Sequence, residues 1–277
     1  MESIKESVFR TKRKELDLRE GPFLVGILNI TPDSFSDGGK FSDIHLAKEH
    51  FLKMESEGAA IIDIGGESTR PNYKPVSVKD EINRILPFLK KIRNETNCLI
   101  SIDTSKAQVA EQCLAEGADI INDVWGGQSD PEMLRVVSKY DAACFLMHNS
   151  HKIVEENLME SISNYLFNSI KLAKDNGVNY RSCVIDPGFG FGKSYEDNWE
   201  IMRNIKLLKK LGMPTLIGTS RKSMIANLLN IQDPEKRING TLATTAWAAI
   251  HGVDFIRVHD VLANMHCIQV IKQCQKK

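Results

Sequence analysis

Short apolar runs rich in β-branched residues alternate with longer segments of helical period along almost the whole chain, and this alternation restricts the fold more than any other feature. The runs are Leu24 to Ile30, Ala60 to Ile64, Leu99 to Ile102, Asp119 to Asn122, Ala143 to Met147, Cys183 to Ile185, Thr215 to Ile217 and Phe255 to Val258. Helical segments are predicted at His45 to Glu57, Lys79 to Asn94, Ser105 to Glu116, Pro131 to Lys139, Val154 to Asn176, Asp197 to Lys210, Arg221 to Leu229, Pro234 to His251 and Val261 to Gln275. Gly58, Gly117, Gly177, Gly212 and Gly252 each follow a helix, where a left-handed cap turns the chain back toward the next strand. Eight such repeats predict parallel strands joined by crossover helices. A chain of 277 residues fits one α/β barrel of eight strands, which takes roughly 250. No low-complexity linker divides the chain, so a single (β/α)8 TIM barrel is expected over residues 21–277, with residues 1–20 as a peripheral lead-in.

Charge and composition exclude several classes. Lysine plus arginine and aspartate plus glutamate number 36 each, so there is no basic excess for wrapping nucleic acid and any anion site must be local. No apolar run reaches bilayer length, and the charged start MESIKESVFRTKRKELDLREG lacks the apolar centre of a signal peptide. A soluble, cytoplasmic protein is expected. Cys98, Cys113, Cys144, Cys183, Cys267 and Cys274 form no CxxC pattern and read as reduced, mostly buried packing residues.

Two loops carry chemistry. NITPDSFSDGGK, Asn29 to Lys40, follows the first run, and GGESTRP, Gly65 to Pro71, follows the second with Glu67, Thr69 and Arg70. Loops so rich in charge and hydroxyl bury little, which points to ligand contact and a mobile lid over an anionic substrate.

In a barrel of this kind the site lies at the carboxyl ends of the strands. Just past the eight runs stand Asn29; Asp63, Glu67, Thr69 and Arg70; Asp103 and Thr104; Asn122 and Asp123; Met147 and His148; Asp186; Ser220, Arg221, Lys222 and Ser223; and Arg257, His259 and Asp260. Taken singly, Asp103 and Asp260 have a plain reading as helix caps. A complete polar ring asks for more, because interior carboxylates without partners cost several kcal/mol or take up a proton. Asp103, Asn122 and Asp186 suit a flat heterocycle with several N–H donors, whereas Arg70, Lys222, Arg257 and His259 suit a phosphate group.

Other motifs have simpler readings. PGFGFGKS, Pro187 to Ser194, resembles a P-loop, but Pro187 stands where its first glycine is required, so it reads as a βα loop with Phe191 packed on ligand. His148 and His151 have HxxH spacing but leave a strand and lack a third ligand, which argues against zinc. Lys222 is read as a charged contact in preference to a Schiff base. Leu242, Ala243, Ala246, Trp247, Ala249, Ile250, Val261, Leu262, Met265, Ile268, Val270 and Ile271 read mostly as the stripe packing the last two helices on the barrel.

Assembled, the motifs NITPDSFSDGG, DIGGESTRP, SIDT, INDVWGG, DPGFGFGK, GTSRKS, GTLATTAWA and RVHD resemble those of bacterial dihydropteroate synthases, from Gly21 to the carboxyl end. The resemblance implies condensation of dihydropterin methyl pyrophosphate with para-aminobenzoate to give dihydropteroate and pyrophosphate in folate synthesis, with Mg2+ as cofactor. By motif, Asp103, Asn122, Asp186 and Lys222 would hold the pterin, with Val124, Met147 and Gly218 lining its slot. Asn29, Arg257 and His259 would hold the pyrophosphate, with Asn29 also reaching Mg2+. Thr69, Pro71, Phe191 and Ser223 would frame the aminobenzoate, and Phe35, Asp37 and Arg70 would belong to the closing loops, Phe35 on the aminobenzoate side. The implied catalytic set is Asp37, Arg70, Asp103, Asp186, Lys222 and Arg257. A homodimer through the carboxyl-terminal helices is also implied.

A dissociative substitution follows from such a site, with pyrophosphate leaving and Asp186 and Asp37 stabilising the cation on the pterin methylene. Arg257→Ala is then expected to slow turnover far more than it perturbs folding, because the residue lies beyond the strand core. Two alternatives stand: a pterin-dependent methyltransferase, which needs no pyrophosphate site, and a pterin-binding paralogue without activity.

Overall fold

A computed structural model describes residues 7–30, 39–67, 76–150 and 157–276. After an antiparallel hairpin of β1 (Val8–Arg10) and β2 (Glu15–Asp17) come eight parallel strands. They are β3 (Phe23–Asn29), β4 (Ile61–Gly65), β5 (Leu99–Asp103), β6 (Ile120–Asp123), β7 (Ala143–Met147), β8 (Cys183–Asp186), β9 (Leu216–Ile217) and β10 (Phe255–Val258). Each pairs with its neighbour in order, β10 pairs with both β9 and β3, and an Ile185–Thr215 bridge joins the last gap. The sheet therefore closes on itself, as the eightfold alternation predicts.

Helices α1 (Gly39–Ser56), α2 (Val78–Arg93), α3 (Ala107–Ala115), α4 (Met133–Lys139), α5 (Leu158–Asp175), α6 (Tyr195–Arg203), α7 (Ser223–Leu229), α8 (Ile238–Ile250) and α9 (Val261–Gln275) surround it. The sixth predicted helix divides, because α6 stops at Arg203 and a 3-10 segment, Ile205–Leu211, follows. Asn204 ends it: its backbone and side-chain N–H groups both turn back to the Glu200 carbonyl, the local competition that makes asparagine a poor interior residue. At its start Ser194 and Asp197 form a reciprocal cap.

Strand residues alternate between two apolar layers. Leu28, Ile62, Ile64, Ile100, Ile102, Leu146, Ile185 and Val258 face the helices. Val25, Ile61, Leu99, Ile120, Phe145, Val184, Leu216 and Phe255 fill the lower barrel. Period two then turns the residues two positions further along, among them Asp63, Ser101, Asn122, Asp186 and Arg257, toward the upper interior.

The lead-in is not peripheral. Phe9 on β1 is fully buried within the lower cluster, with ring centroids 5.1 Å from Phe255 and 6.2 Å from Phe145. The hairpin closes the amino-terminal mouth of the barrel, a long-range contact that the charged residues around Phe9 obscure. Arg10 fastens it from outside through Asp141, at 2.6 and 2.8 Å.

The last helices also differ from their predicted stripe. α8 buries Thr241, Thr244, Thr245, Ala248 and Ala249, while Trp247 and Ile250 remain exposed, as do Leu262 and Val270 on α9. The small face goes inward because its hydroxyls are used there. Thr244 bonds Thr219 at 2.9 Å, Thr245 donates to Asn264 at 2.7 Å, and Thr241 accepts the Arg221 N–H at 3.1 Å.

Candidate active site

The strand register sets the site in a row: Asn29 lies beside Gly65, Gly65 beside Asp103, and Asp103 beside Asn122, across β3, β4, β5 and β6. One inward position below Gly65 is Asp63, fully buried, and it joins the row to β10. Its Oδ2 accepts from Arg257 Nε at 2.7 Å and from Asn122 Nδ2 at 2.9 Å, while Arg257 Nη2 donates to Asp103 Oδ2 at 3.0 Å. Spending its N–H on Asp63 turns the Asn122 amide oxygen away from that carboxylate. Among the described residues the other oxygens of Asp63 and Asp103, both buried, have no hydrogen-bond partner, nor does the Ser101 hydroxyl. Buried acceptors left open this way are costly unless something donates to them.

Electrostatics follow the geometry. Burial pushes the Asp103 carboxyl up to about 7 against the pull of Arg257, with Asp63 adding to the rise. For Arg257 burial works the other way, yet the charges of Asp63 and Asp103 raise it above its ordinary value. It therefore stays protonated between two carboxylates. Arg257 does not lie beyond the core, as its place near a strand end suggested; its side chain is the counter-ion of buried groups, so Arg257→Ala must also cost stability.

On the opposite wall, Asp186 ends β8 and accepts the Gly188 N–H at 2.7 Å. Burial raises its pKa, opposed by that bond and by Lys222. Lys222 donates to the Phe189 carbonyl and lies 4.7 Å from the centre of the Phe191 ring. Burial lowers it to about 8, with Asp186 restraining the fall. Arg221, just before it, takes the left-handed conformation at φ 61°. Such a residue costs of order 1 kcal/mol or more and needs outside support. Asp260 supplies it with two bonds, at 2.7 and 3.1 Å, and Arg237 holds the Arg221 carbonyl at 2.7 Å.

These contacts revise several plain readings. Asp260 pairs with Arg221 and does not cap α9; Asp103 does not cap α3, whose Ala107 N–H goes to Asp130 at 2.8 Å. Asp123 serves its own turn, accepting from Trp125 and Gly127 at 3.0 and 2.7 Å. Glu67 is anchored within the protein: it accepts from Lys106, which also binds Glu81 at 2.5 Å, and from the Val76 N–H at 3.3 Å. It thereby ties the two ends of the second loop.

The other expected site residues lie around the same mouth. His259 Nδ1 is 2.9 Å from the Ser220 hydroxyl, which also accepts the His259 N–H at 3.2 Å. Met147, buried, ends β7; Val124 follows β6; and Gly218, following β9, would place a Cβ 3.7 Å from that of Arg257. Ser223 is exposed at the first turn of α7. Phe35, Asp37, Thr69, Arg70, Pro71 and His151 lie outside the described residues, as do residues 152–156 of the fifth loop.

Asn29 offers an amide oxygen beside Gly65, where a Cβ would stand 3.2 Å from it. Among the described residues no group of three His, Cys, Asp or Glu could cage a metal. A single hard oxygen fits a magnesium ion that takes its remaining ligands from water and substrate phosphate, the usual habit of that ion. His148 meets Lys193 through Nδ1 at 2.9 Å.

Sequence reasoning placed Asp63 in the polar ring without giving it a task, and assigned none to Lys193 or His148. For Asp63 the signal was present: it stands two residues before Gly65 and so shares its face.

The family described as pterin binding enzyme matches residues 25–259. The chain is 51% identical to a dihydropteroate synthase of Clostridium beijerinckii over 91% of this chain and 93% of that one. It is 42% identical to that of Bacillus subtilis, over 92% and 89%. Among solved structures it resembles a Clostridium difficile dihydropteroate synthase in the presence of pteroic acid, with a TM-score of 0.91 and 44% identity over 95% of this chain and 100% of that one. A Xanthomonas albilineans dihydropteroate synthase with 4-aminobenzoic acid matches at a TM-score of 0.92 and 36% identity, over 98% and 99%.

Proposed function

The chain belongs to the pterin-binding enzymes, among the dihydropteroate synthases, and from that premise we infer what each wall of the barrel mouth does. The enzyme condenses 6-hydroxymethyl-7,8-dihydropterin pyrophosphate with para-aminobenzoate, giving 7,8-dihydropteroate and pyrophosphate. The observation that carries the site assignment is the set of open, buried acceptors beside a bound cation: the free oxygens of Asp103 and Asp63 next to Arg257.

Asp103, Asn122 and Asp186 accept from the pterin's ring N–H and amino groups, and Lys222 donates to its ring acceptors from the Asp186 side. Met147, Val124 and Gly218 bound the slot. Arg257 and His259 hold the pyrophosphate, Asn29 would hold Mg2+, and Phe191 and Ser223 face the aminobenzoate. Bound magnesium would supply charge neutralisation to the departing pyrophosphate.

The reaction needs no covalent enzyme intermediate. Arg257, fixed by two carboxylates, keeps one face of its guanidinium oriented while negative charge develops on the leaving group, so little reorganisation is required. Asp186, with Asp37 from the first loop, would stabilise the cation left on the pterin methylene as its C–O bond to pyrophosphate breaks; the neutral aryl amine then forms the C–N bond and gives up a proton to the released pyrophosphate. By the family's motifs Asp37 and Arg70 would act with these groups to exclude water.

Exposed Trp247, Ile250, Leu262 and Val270 support a homodimer through α8 and α9, which sedimentation would test. No described helix is long and apolar enough to cross a membrane, and all six cysteines are free thiols, in keeping with a reducing cytoplasm.

A pyrophosphate-release assay run with and without para-aminobenzoate tests the function. Release that depends on the aryl amine is expected. Methyl transfer from a methylfolate without pyrophosphate would favour the methyltransferase, and pterin binding without turnover the inactive paralogue.

A further inference from the structure

Lys193 ends the glycine-rich segment after β8, and the reaction as derived gives it nothing to do. Its Nζ donates to the Phe191 carbonyl at 3.0 Å and meets His148 Nδ1 at 2.9 Å, with the His148 carbonyl at 3.4 Å. Burial lowers the His148 imidazole to about 3, with the Lys193 charge adding to the fall, so the ring is neutral and one tautomer presents a lone pair at Nδ1 to the lysine. Burial also lowers Lys193, to about 7. Protonated or not, the nitrogen has enough N–H groups to serve Nδ1 and the Phe191 carbonyl together.

The same loop is pressed between two walls. Gly188, at φ 72°, sits so close to β7 that a Cβ would lie 2.0 Å from the His148 carbonyl oxygen, which leaves no room for any side chain. On the other side the loop carries Lys222 at three successive residues: the Phe189 carbonyl accepts from it, Gly190 packs against its stem, and the Phe191 ring lies beneath it. Asn198 holds the Gly190 N–H at 2.7 Å from α6. Among the described residues, Lys193 is what holds the Phe191 carbonyl. The His148 ring is itself braced, edge-on, by Tyr165 at 4.8 Å.

We propose that Lys193 is a positioning residue that latches the Phe191 loop to the end of β7 through His148, setting the aminobenzoate side of the site. This rests on the assignment of Phe191 to that side. The latch acts through the loop and touches neither substrate.

Steady-state kinetics of K193M, H148F, their double variant and F191A test it, with each substrate varied in turn. H148F keeps a ring against Tyr165 and deletes the Nδ1 acceptor, leaving on that side only the long contact to the residue 148 carbonyl at 3.4 Å, and it serves if K193M folds poorly. Loss of the latch bond should raise KM for para-aminobenzoate about tenfold in K193M and in H148F, and in H148F, which keeps the lysine whose charge acts on Asp186, the pterin KM should change less than about twofold. The double variant should be no worse than the worse single, because both remove one connection. K193R, which can still donate to both acceptors, should recover part of the loss. An unchanged aminobenzoate KM in K193M beside a raised one in F191A would overturn the latch alone. Equal rises in both substrate KM values in H148F would overturn it in favour of general loosening. An unchanged KM in F191A would remove Phe191 from the slot and take the latch's role with it.

Discussion

Replacing Arg257 with alanine should unfold the protein more easily as well as stop it working. The guanidinium is 19% exposed and its two partners, Asp63 and Asp103, are 0% and 5% exposed, so solvent screens the cluster little. Removing one partner of a buried ion pair costs about 3–5 kcal/mol, because the charge left behind is uncompensated. At roughly 2–4 °C per kcal/mol for a chain of this size, Tm should fall by roughly 6–20 °C. Asp103, already raised to about 7, would take up a proton more readily, so the loss should be smaller at pH 5 than at pH 8. Thermal unfolding at both pH values, run on R257A and on R257A combined with D63N, gives the measurement. Neutralising Asp63 should recover part of the stability and none of the turnover. An R257A protein melting within about 2 °C of the parent would show that the carboxylates do not depend on the guanidinium, and the argument from buried charge would fail.

Asp186→Ala should weaken pterin binding about 10- to 150-fold by calorimetry, the worth of a charge-assisted bond; unchanged affinity would take the residue out of the pocket. Because burial raises Asp103 from 3.8 to about 7, its acceptor form is lost as pH falls through 7. Pterin affinity should therefore drop by up to about tenfold per pH unit below about 7, and D103N should bind weakly with no such slope. Phe9→Ala should cost about 3–5 kcal/mol by opening the barrel floor while leaving both substrate KM values unchanged, which melting and kinetics together would check.

What could be read in the sequence was whatever depends on period and punctuation. The runs at Ala143 to Met147 and Phe255 to Val258 match β7 and β10 residue for residue, because a buried parallel strand is a short apolar run with turn residues at both ends. The gathering of Asp103, Asn122, Asp186, Lys222 and Arg257 at one mouth followed from where those strands end. Hidden from the sequence were pairings set by tertiary contact. Nothing local shows that Arg257 reaches Asp63 across 194 positions, that Arg221 claims Asp260, or that Lys193 finds His148. α8 was misread for a related reason: hydropathy assigns Trp247 and Ile250 inward, yet the hydroxyls of Thr241, Thr244 and Thr245 had bonding partners in the interior.

The hairpin under the barrel bears on how the chain is made. Phe9 leaves the ribosome when none of its neighbours exists, and Phe255, its nearest aromatic contact, emerges only after β3 to β9. Until then the nascent barrel has an unsealed, ring-lined base, the kind of apolar opening that invites association between chains. Pulse-labelled hydrogen exchange during refolding should find the amides of β1 and β2 protected only after those of β3 to β8, so that closure at one end finishes a structure whose working end is already in place.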